Sequence, residues 1–208
     1  MKSKQKVSVA TEREVITYSH MWHTSECLLK RGQEQEAASF HQFMSSIVFT
    51  AFTLEAYLNH IGPRLFQCWK DLERLGPHEK LNLIAEHLRV TINYGTRPWQ
   101  IMKKLFEFRN TIAHGKSKTF KPPVKVVSLE EHETNISMAK TEWELFCTQK
   151  NAENARADVE KMVFALYEAA KAAGCDTGYP FVKGFQHSDV SLYSPEPRTL
   201  KKRRRGNR

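Results

Sequence analysis

Residues 37–63 read AASFHQFMSSIVFTAFTLEAYLNHIGP, and their spacing decides the fold. Phe40, Met44, Ile47, Ala51, Leu54 and Leu58 recur every three or four positions, with Phe43, Val48 and Phe52 widening the stripe. This pattern predicts a long helix buried around much of its circumference. Gly62-Pro63 is expected to end it. Upstream, Val15, Ile16, Met21, Trp22, Leu28 and Leu29 make a looser helical pattern closed by Arg31-Gly32, so the first two helices are expected to form an antiparallel hairpin. Downstream, a third helix is expected from about residue 77 to 91, carrying Leu81, Leu83, Ile84 and Leu88. A fourth opens near Pro98, carries Trp99, Met102, Leu105, Phe106 and Ile112, and stops at Gly115. Residues 118–129, with Pro122-Pro123 and then Val124, Val126 and Val127, suit a short extended segment. A last helix spans about 152–173, with Val159, Met162, Val163, Leu166 and Tyr167, ended by Gly174. The predicted fold is all-α: an antiparallel bundle of about five helices over residues 1–174. An irregular extension over 175–197 and a disordered basic tail over 198–208 follow it.

A chain of 208 residues supports one domain with extensions. With 40% hydrophobic and 26% charged residues it can build a core. The longest apolar run, around Ile47 to Leu58, is broken by Thr50, Thr53 and Glu55 and falls short of the roughly 20 residues of a membrane span. MKSKQKVSVATEREV at the start has no apolar region of the signal-peptide kind, so a cytoplasmic protein is expected. Cys27, Cys68, Cys147 and Cys175 lie far apart with no C-x-x-C pair, which suits reduced thiols.

The formal net charge of +9 is unevenly placed. Residues 198–208 (RTLKKRRRGNR) hold seven basic residues and no acid, and residues 1–10 hold three lysines. Residues 97–125 carry eight basic residues against Glu107 alone, a local +7. Charge gathered into one internal segment and one arm suits a polyanion, because neutralised phosphates release counterions. It equally suits a solvated lysine face with a solubilising tail, and the tail alone has the composition of a nuclear localisation signal.

The fourth helix ends in FEFRNTIAHG, which places Arg109 and Asn110 ahead of His114, in the last turn before Gly115. A separate long helix carries AFTLEAYLN, PHEKLNLI opens the third, and RPWQIMKKLFEFRN leads into the motif. Together these resemble the HEPN superfamily, small helical bundles with an R-x4-6-H motif and commonly a polar residue directly after the arginine. The resemblance covers roughly residues 39–114 and extends more weakly to the last helix. It implies a homodimeric endoribonuclease of the toxin or phage-defence kind, with RNA as substrate and, for a toxin, an antitoxin protein as partner. The superfamily also contains members that have lost catalysis, so the alternative is a non-catalytic module binding RNA, a nucleotide or a protein partner. A helical interaction protein using only its basic arm is a third reading.

Geometry and chemistry stand beside that resemblance. Asn110 and His114 are four apart and share a helix face, so the amide could orient the imidazole. Arg109 and His114 are five apart, about 140° around the axis, so one helix does not set them side by side. Two copies crossing about a two-fold axis would let each arginine approach the partner's histidine. Cleavage by the ribose 2′-hydroxyl needs a group that moves protons near neutral pH and a guanidinium that stabilises the phosphorane-like transition state. His114 is the candidate acid/base, Arg109 the electrostatic stabiliser, and Asn110 and Glu55 supporting residues. Lys103, Lys104, Lys116 and Lys118 are candidates for binding RNA. The catalytic reading requires guanidinium and imidazole to meet in one solvent-open crevice. Against it, a histidine in the last helical turn is favoured by the helix dipole alone, and Arg109 could simply pair with Glu55, a carboxylate beside the apolar stripe that needs a partner. Tyr57 and Asn59 of LEAYLN are weaker candidates for the same groove. No H-x-x-x-H, H-E-x-x-H, G-x-G-x-x-G or Walker pattern occurs, so neither a metal nor a cofactor is expected. The four tryptophans suit core anchors better than base-stacking platforms.

Overall fold

The computed structural model describes residues 8–11, 14–117, 119, 140–181 and 190–193, the first and last of these as backbone. Seven helices are present among them: α1 (Thr17–Glu34), α2 (Ser39–Leu65), α3 (Trp69–Leu72), α4 (Pro77–His87), α5 (Ile101–His114), α6 (Glu142–Phe146) and α7 (Gln149–Ala172). All lie in one compact unit, residues 16–183. A second unit holds an antiparallel ribbon of β1 (Ser8–Thr11) and β2 (Val190–Tyr193), registered Ser8 to Tyr193 and Thr11 to Val190. Among the described residues no helix is long and apolar enough to cross a membrane.

The helical unit is built around α2. Ile47, Ala51, Leu54, Leu58 and Ile61 are wholly buried along it, and each large aliphatic side chain so placed contributes roughly 1.5–3 kcal/mol. α1 runs antiparallel to α2, because Tyr18 meets Tyr57 at 5.1 Å between ring centroids, Ser25 meets Ser46 and Thr50, and Gly32 meets Phe43. The middle of that seam is polar. Ser25 Oγ donates to the Ser46 carbonyl at 2.9 Å, Ser46 Oγ donates to the Ser25 carbonyl at 2.9 Å, and Thr50 Oγ1 lies 2.7 Å from Ser25 Oγ. Reciprocal bonds between wholly buried hydroxyls fix the register of the pair, since a slip would leave each of them unpaired.

Several boundaries differ from the sequence reading, each for a physical reason. Gly32 does not close α1. The helix continues to Glu34, and the glycine is buried where a Cβ would lie 2.6 Å from Phe43 Cε1. Gly62-Pro63 does not end α2, which runs to Leu65; a Cβ on Gly62 would sit 2.3 Å from the Trp69 ring. Proline is tolerated there because only the last turn loses a bond. α4 ends at His87, ahead of Arg89 in a left-handed conformation (φ 58°). α5 starts at Ile101 rather than near Pro98, and α3 and α6 are short additions. The extended segment expected over 118–129 lies, apart from Thr119, outside the described residues, as does the tail 198–208. Of the extension expected to be irregular over 175–197, residues 175–181 are so, whereas 190–193 form β2 by pairing with 8–11. Residues 175–181 dock on the bundle. Phe181 stacks on Trp22 at 4.4 Å, and His60 Nε2 donates to the Thr177 carbonyl at 3.2 Å.

Candidate functional site at the end of α5

α5 is amphipathic: Met102, Leu105, Phe106 and Phe108 are buried, while Lys103, Lys104, Glu107, Asn110, Thr111 and His114 face solvent. It ends at Gly115, where a Cβ would come within 2.6 Å of the Thr111 carbonyl oxygen. Only glycine lets the chain leave the helix so closely over its last turn.

Arg109 sits between the two faces. Its Nη2 donates to Glu55 Oε2 on α2, and its Nη1 donates to Asn110 Oδ1 at 2.9 Å. The guanidinium lies 5.4 Å from the Phe106 ring centroid and 5.9 Å from that of Phe52, within cation–π range. Its side chain is 15% exposed and that of Glu55 29%. Both ions are partly shielded from water, so each offsets part of the other's desolvation. The Nε hydrogen is buried and has no partner among the described residues.

An open groove of about 1600 Å³ lies between α5, the turn after it and α6. Asn110 and His114 line it, as do Lys103, Lys104 and Lys116; Lys118 lies outside the described residues. His114 is exposed and has no side-chain hydrogen bond or ion pair among the described residues. Three glutamates, Glu107, Glu142 and Glu144, share the walls. Two of them are engaged: Glu107 lies 3.9 Å from Lys103, and Glu144 caps α6 by accepting from Thr141 N and Oγ1 at 2.7 Å. Those two bonds hold the Glu144 carboxyl below the usual carboxylate range. Lys104 Nζ lies 4.7 Å over the buried Phe146 ring.

The expected residues are therefore brought together in part. Asn110, His114 and three lysines share the groove, whereas Arg109 is not among its lining residues. Asn110 Oδ1 takes the arginine rather than the histidine, so the expected Asn110 to His114 hydrogen bond is absent among the described residues. One protomer does not set Arg109 and His114 in a common crevice, because the 140° separation along α5 stands and Glu55 draws the guanidinium toward α2. Tyr57 and Asn59 lie elsewhere: Tyr57 is wholly buried, and Asn59 Oδ1 accepts from Lys80 Nζ at 2.8 Å. Sequence reasoning missed the α6 wall, with Trp143 and Phe146. Its signal was present in the T-x-x-E pattern of Thr141 to Glu144, a capping box. No group of three or more metal-ligating side chains occurs among the described residues. No protein-family model, curated protein or solved structure matches the chain.

Proposed function

We propose that the chain is a metal-independent endoribonuclease of the HEPN kind, active as a homodimer and belonging to a toxin or phage-defence system. The observation that supports this most is an exposed His114, without a side-chain partner among the described residues, in a lysine-bearing groove, sharing its helix face with Asn110, which in turn holds Arg109. In this reading the imidazole takes the proton of a ribose 2′-hydroxyl as its oxygen attacks the adjacent phosphorus. The bond from phosphorus to the 5′-oxygen breaks, that oxygen receives a proton, and a 2′,3′-cyclic phosphate remains. DNA, lacking the hydroxyl, is spared. In this reading the guanidinium that meets the phosphate comes from Arg109 of a second copy.

A second reading is favoured by the Arg109–Glu55 pair, which gives the arginine a purely structural occupation and keeps it off the groove wall. The chain would then be a non-catalytic module that binds RNA, a nucleotide or a protein through the same groove. Incubation with RNA in EDTA separates the two. Catalysis predicts fragments with cyclic phosphate ends, lost in His114→Ala and Arg109→Ala variants of unchanged circular dichroism. RNA retarded in a gel yet left whole contradicts it and supports the module.

A further inference from the structure

We infer that the groove takes single-stranded rather than duplex RNA, with one unpaired base stacked on Trp143 and the neighbouring phosphate on Lys104. The inference rests on the RNA reading above and names the form of its substrate.

All four tryptophans are described, and three are core residues: Trp22, Trp69 and Trp99 are 5–7% exposed. Trp143 differs. It is only partly buried, it packs on Phe40 with ring centroids 6.2 Å apart, and it also lines the groove. An indole that packs against the core and on Phe40 yet also lines the groove offers its remaining surface to a base, because every base has a π-face. Lys104 lies on the same walls, with its ammonium carried over Phe146 three residues along α6 from Trp143. The cation is therefore placed by packing rather than by a carboxylate, and no salt bridge to Lys104 occurs among the described residues. An aromatic face beside a cation on a groove wall is the pairing that single strands need. A duplex keeps its bases stacked inside and offers only backbone and groove edges.

The test uses the full chain and a 2′-O-methyl oligouridine, which carries no free 2′-hydroxyl and stays intact. Because the other tryptophans are buried and do not line the groove, a change in intrinsic fluorescence on adding the oligonucleotide reports chiefly on Trp143. The oligonucleotide should quench that fluorescence on saturation, whereas inorganic polyphosphate and an RNA duplex of equal phosphate number should not. Trp143→Leu should weaken oligouridine binding about fivefold or more while leaving polyphosphate binding within twofold, and Trp143→Phe should restore most of the affinity. Unquenched fluorescence at saturation, no binding of the oligonucleotide, or unchanged affinity in Trp143→Leu would each overturn the inference. The nuclease reading fails separately. Quenching by the oligouridine together with intact RNA in EDTA defeats catalysis and keeps the stacking site, and cleavage unaffected by Trp143→Leu does the reverse.

Discussion

Arg109 ties the end of α5 to α2 through its pairing with Glu55. Its charge is balanced by Glu55 in a partly buried setting, so removing one partner leaves the other ion desolvated. Glu55→Gln is expected to lower stability by about 1–3 kcal/mol in urea unfolding. Arg109→Met added to it should recover part of that loss, since an isolated buried charge costs more than no charge at all. If Glu55→Gln leaves stability unchanged, the pair is a surface contact and the guanidinium is free to turn toward the groove. This pairing was legible beforehand, because a carboxylate at position 55 borders an apolar stripe and requires a cation. What escaped the sequence was that Asn110 would face the arginine beside it rather than the histidine one turn on. Both arrangements satisfy the same amide, and only the placement of α2 chooses between them.

At the scale of the element, the α1–α2 pair depends on close approach as much as on apolar burial. Alanine normally stabilises a helix interior relative to glycine by about 1 kcal/mol. At Gly32 the added methyl would meet Phe43 at 2.6 Å and 3.0 Å, and overpacking of this kind costs about 1–3 kcal/mol. Gly32→Ala is therefore expected to be destabilising by thermal unfolding, and Phe43→Leu in the same chain should partly relieve it. A simple gain in stability would show that the ring moves aside freely. The Ser25, Ser46 and Thr50 network makes a parallel case. Ser25→Ala removes the donor to the Ser46 carbonyl and is expected to cost about 1–3 kcal/mol, measured by urea unfolding. The helices themselves were readable from the three-to-four spacing of apolar residues. Their ends were less so, since a glycine buried for contact and a glycine that stops a helix look alike in sequence. α6 was overlooked although Thr141 and Glu144 announce it.

Across the whole molecule, the pairing of residues 8–11 with 190–193 could not be read ahead, because partners so distant in the chain leave no local periodicity. The helical unit should also show a defined alkaline limit. Burial pushes the Cys147 thiol up to about 12 from its ordinary value near 9.0, and burial raises the Tyr57 phenol as well. Both groups hold their protons in the folded chain at pH values where the unfolded chain releases them, so stability falls as pH rises from about 9 toward 12. Urea midpoints taken across that window should decline, and Cys147→Ala should flatten the decline. A flat profile in the unsubstituted chain would mean that these groups open to water.

The decisive question at this scale is whether two copies share their chemistry. Arg109 is held toward α2 while His114 stands in the groove, so the proposed nuclease would take its arginine from one subunit and its histidine from the other. Arg109→Ala and His114→Ala chains, each inactive alone, can be unfolded together, refolded as a mixture and assayed on RNA in EDTA. Random pairing gives half mixed dimers, each with one intact composite site, and so about a quarter of the unsubstituted cleavage is expected. A mixture as silent as its components, beside an unsubstituted protein that cleaves, would contradict a site built from two subunits.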